Sequence, residues 1–451
     1  MRVPAAWAAV LLSVAAATPL AAAPPESKPA VPTPPTKAAA SPLSAALRAR
    51  VIAELRRLIE TTYVFPDRRA SISAALEQAF KRGELDATDP KSFAEKVSRR
   101  LSEAGHDLHL RLEYEPSEYR EKIQQRDNRD YSGVMARIRR DHHGYVRQEI
   151  LPGNVRYVKI ANFRWIPEES GRAVEDAVRF LRDADAIVLD LRGNSGGDPR
   201  AVQYLISHFF EGVTELAGEY DGSTGAYSPL KTLAELPAGR LVGKPLYVLV
   251  DRSTFSAGEE FAYEVQQYGL GRLVGETTAG GANGSRRHPV EGGFIASVPY
   301  LRLVHPRTGT NWEGVGVIPD LKASGALALD LALLTELTRP GRPGGSESLD
   351  WTVAALRARV SPVSVPAAQL AAYAGQYGQR RIWVSDGSLM YQREGRDPVR
   401  LTPLADHLFQ LGADESLRVR FVERGGAIAA LEIVTEEGVA DTSPRSAAPA
   451  P

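Results

Sequence analysis

Residues 185–198, DAIVLDLRGNSGGD, decide the fold. The run Ala186–Leu189 is short, apolar and flanked by Asp185 and Asp190, which reads as a strand buried on both faces. It ends in Asn194-Ser195-Gly196-Gly197 and leads into a helical pattern, PRAVQYLISHFFEG (199–212), opened by a proline suited to the first helical position. Two further units repeat this plan: VRYVKIANF (155–163) before SGRAVEDAVRFLRD (170–183), and KPLYVLVD (244–251) before SAGEEFAYEVQQYG (256–269). Strands alternating with helices imply an α/β layer. The Asn-Ser-Gly-Gly turn suits backbone N–H groups aimed outward at a helix start, ready for a phosphate or an oxyanion. Equally, its glycines suit a tight turn and nothing more. It is not the G-x-G-x-x-G of a dinucleotide site.

Outward from this core the pattern changes on both sides. Residues 43–115 read as a small helical domain: LSAALRARVIAELRRLIETTYVFP spaces apolar residues by three and four. SISAALEQAFKRG follows, with Ser71 or Ser73 as cap, then DPKSFAEKVSRRLSEAG, with Asp89 and Pro90. Residues 116–148 are densely charged and read as a solvated, loop-rich connection. The α/β core is expected over 149–335 and a Pro/Gly/Ser linker over 336–350. Residues 351–440 read as a small antiparallel β domain, because RRIWVSDGSLMYQRE sets an Asp-Gly turn between alternating runs and LRVRFVERGGAIAALEIVTEE repeats this with Gly-Gly. Residues 441–451 read as a disordered tail.

The N-terminus reads as an export leader over 1–23: Arg2, an apolar stretch from Ala5 to Ala17, and small residues before a cleavage point near Ala22 or Ala23. A Pro/Ala-rich linker over 24–42 follows. The expected location is therefore periplasmic or secreted. No integral membrane span is expected in the mature chain, since no later segment has 18 unbroken apolar residues. The 451 residues hold 55 Lys+Arg against 55 Asp+Glu, which gives no electrostatic case for nucleic acid. With no Cys, thiolate nucleophiles and thiolate metal sites are excluded. The scattered histidines suggest no metal, and no cofactor is expected.

Chemistry concentrates in a few stretches. DRSTFSAGEEFA (251–262) puts Ser253, Thr254 and Ser256 between a strand and a helix. Ser253 or Thr254 would cap that helix, with Glu259 or Glu260 completing the reciprocal box. Thr254 stands where the first glycine of G-x-S-x-G should be, which disfavours an α/β-hydrolase. A serine nucleophile needs a base and an orienting group. GHDLHLRL (105–112) offers His106 and His109, the latter on an alternating, strand-like face; TNWEGVGVIPD (310–320) offers Glu313 in a Gly-rich turn. Taken singly, each fits a surface or core residue as well as a catalyst.

Together and in order, DLHLR, DLRGNSGG, STFSAGEEFA, GETTAGGANG and WEGVGVIPD resemble the C-terminal processing (tail-specific) serine protease family. They look most like the branch holding the tricorn protease core and the interphotoreceptor retinoid-binding protein repeats. The resemblance spans roughly His109 to Asp320. It implies a crotonase-like ββα spiral core, and the final β domain resembles lipocalin-like modules. It further implies Ser256 as nucleophile, His109 as base and Glu313 as the acidic partner. The oxyanion donors would be the N–H groups of Gly196 or Gly197 with that of Ala257, and Gly280 and Gly281 would border the substrate.

Gly281 stands where the other branch carries the lysine of a Ser–Lys dyad, which disfavours that mechanism. The 116–148 segment is too short for the peptide-binding PDZ domain many members carry. The expected function is an exported serine endopeptidase acting on peptide or protein substrates, most active from mildly acidic to neutral pH with an ordinary histidine base. The alternative is a non-proteolytic homologue that binds apolar ligands on the same fold.

Overall fold

The structure, a computed structural model, describes residues 43–125, 132–342 and 349–446. The leader expected over 1–23 and the linker over 24–42 lie outside them, as do 126–131 of the charged connection, 343–348 of the second linker and 447–451 of the tail.

The chain opens with α1 (Ala45–Thr62), α2 (Pro66–Lys81) and α3 (Pro90–Gly105). Ser44 caps α1 and Asp89 caps α3, each accepting from a backbone N–H in the first turn. Ser71 and Ser73 cap nothing: α2 begins earlier, at Pro66, whose ring is pre-set for the first helical position. After α3 comes β1 (Arg111–Tyr114). The three helices do not form a core of their own. Leu55, Phe93 and Leu101 share one apolar cluster with Phe294 and Val298 of the following sheet.

The charged connection is helical rather than loop-rich, with α4 (Pro116–Gln125) and α5 (Ser132–Arg140); none of α5 is buried, consistent with its charge. The core begins at Tyr145 rather than 149. It runs through β2 (Tyr145–Leu151), β3 (Val155–Ile160), α6 (Glu169–Leu181), β4 (Ala186–Asp190) and α7 (Pro199–Ser207). It continues with β5 (Glu215–Asp221), β6 (Tyr227–Lys231), β7 (Leu246–Val250), α8 (Ala257–Tyr268), β8 (Arg272–Gly275), β9 (Gly284–Val290), β10 (Phe294–Val304) and β11 (Leu321–Lys322).

Two sheets result. The first has the order β11-β8-β7-β4-β3-β2, parallel except for the β2–β3 pair. Ile187 and Leu189 of β4 pack with α6, α7 and α8 on one face, while Ala186 and Val188 pack with α9 (Ala328–Leu337) and α10 (Asp350–Val360) on the other. Burial on both faces explains why β4 and β7 read as unbroken apolar runs. The second sheet has the order β1-β10-β5-β6, with β9 also paired to β10, so residues just after α3 join a hairpin some 180 positions later.

The C-terminal boundary shifts from the expected one. Val353 and Leu356 of α10 belong to the core, not to a β domain starting at 351, and α9 reaches Leu337, inside the expected 336–350 linker. After α11 (Ala367–Tyr373) a meander follows: β12 (Gly375–Tyr377), β13 (Arg380–Ser385), β14 (Ser388–Arg393), β15 (Val399–Ala405), β16 (Leu408–Leu411), β17 (Asp414–Arg424), β18 (Ala427–Thr435) and β19 (Gly438–Pro444). Its ends meet through a Tyr377–Arg445 bridge, giving an antiparallel near-barrel. Residues 441–446 are therefore not a disordered tail. Ser443 pairs with Leu431 of β18 and its Oγ accepts from the Arg380 guanidinium. Among the described residues no helix is long and apolar enough to cross a membrane.

Candidate active site

The turns after β4 and β7 lie side by side at the carboxyl ends of neighbouring parallel strands, the edge where open α/β sheets hold their ligands. Polar groups knit them together. Phe255 N–H donates to Asn194 O (2.9 Å), and Thr254 Oγ1 donates to Leu191 O (2.9 Å). The Asp251 carboxylate accepts from Gly193 N–H and Ser253 N–H (both 2.9 Å). Ser253 and Thr254 therefore belong to an Asp251 turn and cap no helix. The residue at the N-cap of α8 is Ser256 itself.

Ser256 sits at φ +54°, ψ −119°, a backbone region that non-glycine residues rarely occupy. Strain of this kind costs on the order of 1–3 kcal/mol and needs surroundings that enforce it. Glu259, fully buried one turn on, supplies that enforcement. Its Oε2 accepts from Ser256 N–H (2.9 Å) and Gly281 N–H (2.8 Å); its Oε1 accepts from Thr278 Oγ1 (2.5 Å) and Gly280 N–H (2.6 Å). Burial pushes its pKa up and these four donors pull it back.

The N–H groups of Gly280 and Gly281 are both spent on Glu259 and so are not available as donors to a substrate. Gly281 instead lets Phe255 and His109 close in: a Cβ there would lie 2.2 Å from the Phe255 ring and 2.9 Å from His109 Cε1. Gly196 is also reassigned. Its N–H donates to Asn194 Oδ1 (2.8 Å), leaving no oxyanion donor there. Its own role is steric, since a Cβ on it would stand 2.8 Å from Ser256 Cβ. The N–H groups of Gly197 and Ala257 meet no acceptor among the described residues.

His109 lies in the turn before β1 rather than on a strand face, buried and packed against Phe255 with ring centroids 4.5 Å apart and planes tilted by 30°. Asp107, 1% exposed, fixes this turn. Its Oδ1 accepts from His109 N–H (2.9 Å), and its Oδ2 from Asn283 Nδ2 (2.9 Å) and Tyr63 OH (3.2 Å). Glu313 Oε2 accepts from Ala282 N–H (2.6 Å) and Asn283 N–H (3.0 Å). Side-chain ligand atoms of Asp107, His109 and Glu313 all lie within 4.8 Å of one another. His109 Nδ1 and Glu313 Oε1 are both buried without a hydrogen-bond partner.

Burial lowers the His109 pKa to about 4, helped by Arg111, which overturns the expectation of an ordinary histidine. Burial and the Asp107 charge raise Glu313 to about 8. His109 and Ser256 line one cavity of about 290 Å³ with Gly197 and Ala257, although no hydrogen bond joins Ser256 Oγ to His109 among the described residues. The sequence reading missed Asp107 and treated Glu259 only as a cap partner. The two-residue spacing of Asp107 and His109 was the available signal for the first.

Residues 154–323 match the model for peptidase family S41. This stretch is similar to the domain of that family. It holds Ser256, Glu313 and both glycine turns, while His109 lies before it. The chain is 28% identical over 162 residues to putative tricorn protease homolog 2 of Streptomyces coelicolor (strain ATCC BAA-471 / A3(2) / M145), covering 35% of this chain and 13% of that protein. It is 31% identical over 138 residues to the carboxy-terminal processing protease CtpA of Bacillus subtilis (strain 168), covering 30% of this chain and 28% of that protein. The chain therefore spans well under two thirds of either relative's length. Among solved structures, the photosystem II D1 C-terminal processing protease aligns at 16% identity and TM-score 0.38, covering 63% of this chain and 95% of that one. The tricorn protease aligns at 15% and 0.40, covering 61% and 34%. The family resemblance carried by the sequence motifs is borne out by the domain match and the two relatives.

Proposed function

We propose that this protein is an exported serine endopeptidase that cleaves peptide or protein substrates through an acyl-enzyme on Ser256. The observation that carries the reading is the strained serine beside two unspent backbone N–H groups, in one cavity with a neutral histidine. In the mechanism His109 takes the Ser256 proton as Oγ attacks the carbonyl carbon. The N–H groups of Gly197 and Ala257 hold the oxyanion, each worth about 3 kcal/mol. The imidazolium returns its proton to the leaving amine, and water then hydrolyses the acyl-enzyme by the same relay. Glu313 Oε1 is the group that would steady the imidazolium at Nδ1, and Asp107 positions the ring through the His109 backbone. A base and nucleophile that are loosely set without substrate commonly tighten when it binds.

The export part of the reading rests on the leader-like residues 1–23 alone. The core is read as a crotonase-like ββα spiral, in keeping with the β4–α7 and β7–α8 units, and the C-terminal near-barrel as lipocalin-like. No observation favours the apolar-ligand alternative; two carboxyl groups line the cavity. A fluorophosphonate probe applied to wild type and Ser256→Ala tests the reading. Labelling and peptide hydrolysis are expected in wild type only, and undiminished labelling or turnover in Ser256→Ala would refute it.

A further inference from the structure

The cavity beside Ser256 contains acidic side chains that the mechanism above leaves idle. Glu260 follows Glu259 on α8, is only 2% exposed, and lines the cavity. Its carboxyl makes no hydrogen bond or ion pair among the described residues. Glu219 on β5 is half-buried, lines the same cavity and is also without a partner. No lysine or arginine lines the space. Of the neighbouring acids, Glu264 accepts from Ala217 N–H (2.7 Å) and lies 3.4 Å from His305 Nε2, and Asp198 pairs with Arg200 (2.6 Å).

A buried carboxyl lacking both donor and cation is costly, and an apolar residue of similar size would serve folding better. Burial and the charges of Glu264, Glu219 and Asp198 all push Glu260 well above the usual carboxylate range. Burial and Asp198 raise Glu219 too. What this space lacks is a positive charge. Leu301, Leu303 and Trp312 supply apolar wall to the same cavity, which suits a long methylene stem ending in a cation. At about 290 Å³ the cavity sits at the low end of ligand pockets (~300–1,000 Å³), a size for one long side chain.

We propose that Glu260 and Glu219 form the pocket for a lysine or arginine side chain next to the scissile bond of the substrate. The assignment rests on the peptidase reading for its substrate, whereas the charge preference of the pocket stands on binding alone.

Two measurements separate the two readings. In the first, the full chain carrying Ser256→Ala is titrated with acetyl-Leu-Arg-amide and with acetyl-Leu-citrulline-amide, a near-isostere without the charge. The arginine peptide is expected to bind about tenfold or more tightly, a difference of ~1.4 kcal/mol. Glu260→Gln in the same background should bring the ratio towards one. Equal affinities, or a ratio unmoved by both Glu260→Gln and Glu219→Gln, overturn the proposal. Glu219→Gln lies on a strand away from α8 and serves if Glu260→Gln does not fold. In the second, wild type digests a peptide mixture and the cut sites are read by mass spectrometry, with Lys and Arg expected to be enriched within one residue of the cleaved bond. Cleavage without that enrichment sinks the pocket and spares the peptidase. Charge-selective binding without any cleavage does the reverse.

Discussion

Glu259→Gln tests whether one buried carboxylate holds Ser256 in its strained conformation. The wild-type side chain accepts four hydrogen bonds, two on each oxygen. Glutamine keeps one oxygen and replaces the other by NH2, a donor facing donors. The least damaging orientation turns the oxygen to Ser256 N–H and Gly281 N–H and the NH2 to Thr278 and Gly280. Two bonds to a charged acceptor are then lost, at about 1.5–3 kcal/mol each. The lower end is the better choice, because burial already opposes ionisation of Glu259 and glutamine escapes that cost. The expected loss is therefore about 3 kcal/mol. With a urea slope of about 3 kcal/mol/M, the unfolding midpoint falls by ~1 M. Tryptophan fluorescence suits the assay, since Trp312 is fully buried and its Nε1–H donates to Gly281 O (3.0 Å) in the loop Glu259 holds. Peptide turnover should fall alongside, as Ser256 loses its fixed backbone. An unchanged midpoint together with undiminished turnover would refute the claim that Glu259 enforces the Ser256 geometry.

Further outcomes follow from the same geometry. Gly196→Ala puts a methyl group against Ser256 at a backbone φ of +89°, so probe labelling should be lost and the midpoint lowered; full labelling would show that Ser256 is not confined by this turn. The acid limb of kcat/KM should fall near pH 4, because burial keeps His109 neutral down to about 4; a limb at about 6–7 would mean a solvated base. The same residue adds stability above its unfolded pKa of about 6.5 that is lost as pH falls towards 4, since the unfolded chain then binds the extra proton. Glu260→Gln should raise the unfolding midpoint: the raised carboxyl contributes most below its unfolded pKa and less as pH climbs, so the gain grows with pH. A gain that shrinks with rising pH would contradict this.

The parts of the fold legible in the sequence were those fixed by local rules. The apolar runs of β4 and β7 and the glycine turns behind them follow from burial and backbone freedom alone. The Asp386–Gly387 turn is a left-handed pair, φ 49° and 70°, joining β13 and β14 as its two letters predict. Elements decided by tertiary pairing were not legible. Helix α5 has no buried residue to mark its period, and α10 is assigned to the core by the apolar cluster it shares with α9 and β4. Strand β19 lies in a stretch rich in small and polar residues and exists because β18 offers it an edge. In the site, Ser256, His109 and Glu313 stood out by residue type and motif. The reassignment of Gly280 and Gly281 did not, because the carboxylate that takes their N–H groups lies some 20 residues away in sequence.

Glu259 and Glu260 show most directly why identical letters carry different meanings. One step along a helix turns a side chain by about 100°. That rotation sends Glu259 beneath Ser256, where four donors meet it, and Glu260 into the cavity, where none does. Both are buried almost completely, so burial alone separates nothing. Satisfaction separates them: the first carboxylate repays its desolvation within the protein, and the second has no partner among the described residues. His109 Nδ1 and Glu313 Oε1 share that deficit, and Ser256 adds a strained backbone beside them. Local rules are broken together around one cavity, and such breaches persist where function compensates them. On the proposed function, the N–H groups of Gly197 and Ala257 would take a carbonyl oxygen, and Glu260 and Glu219 a positive charge.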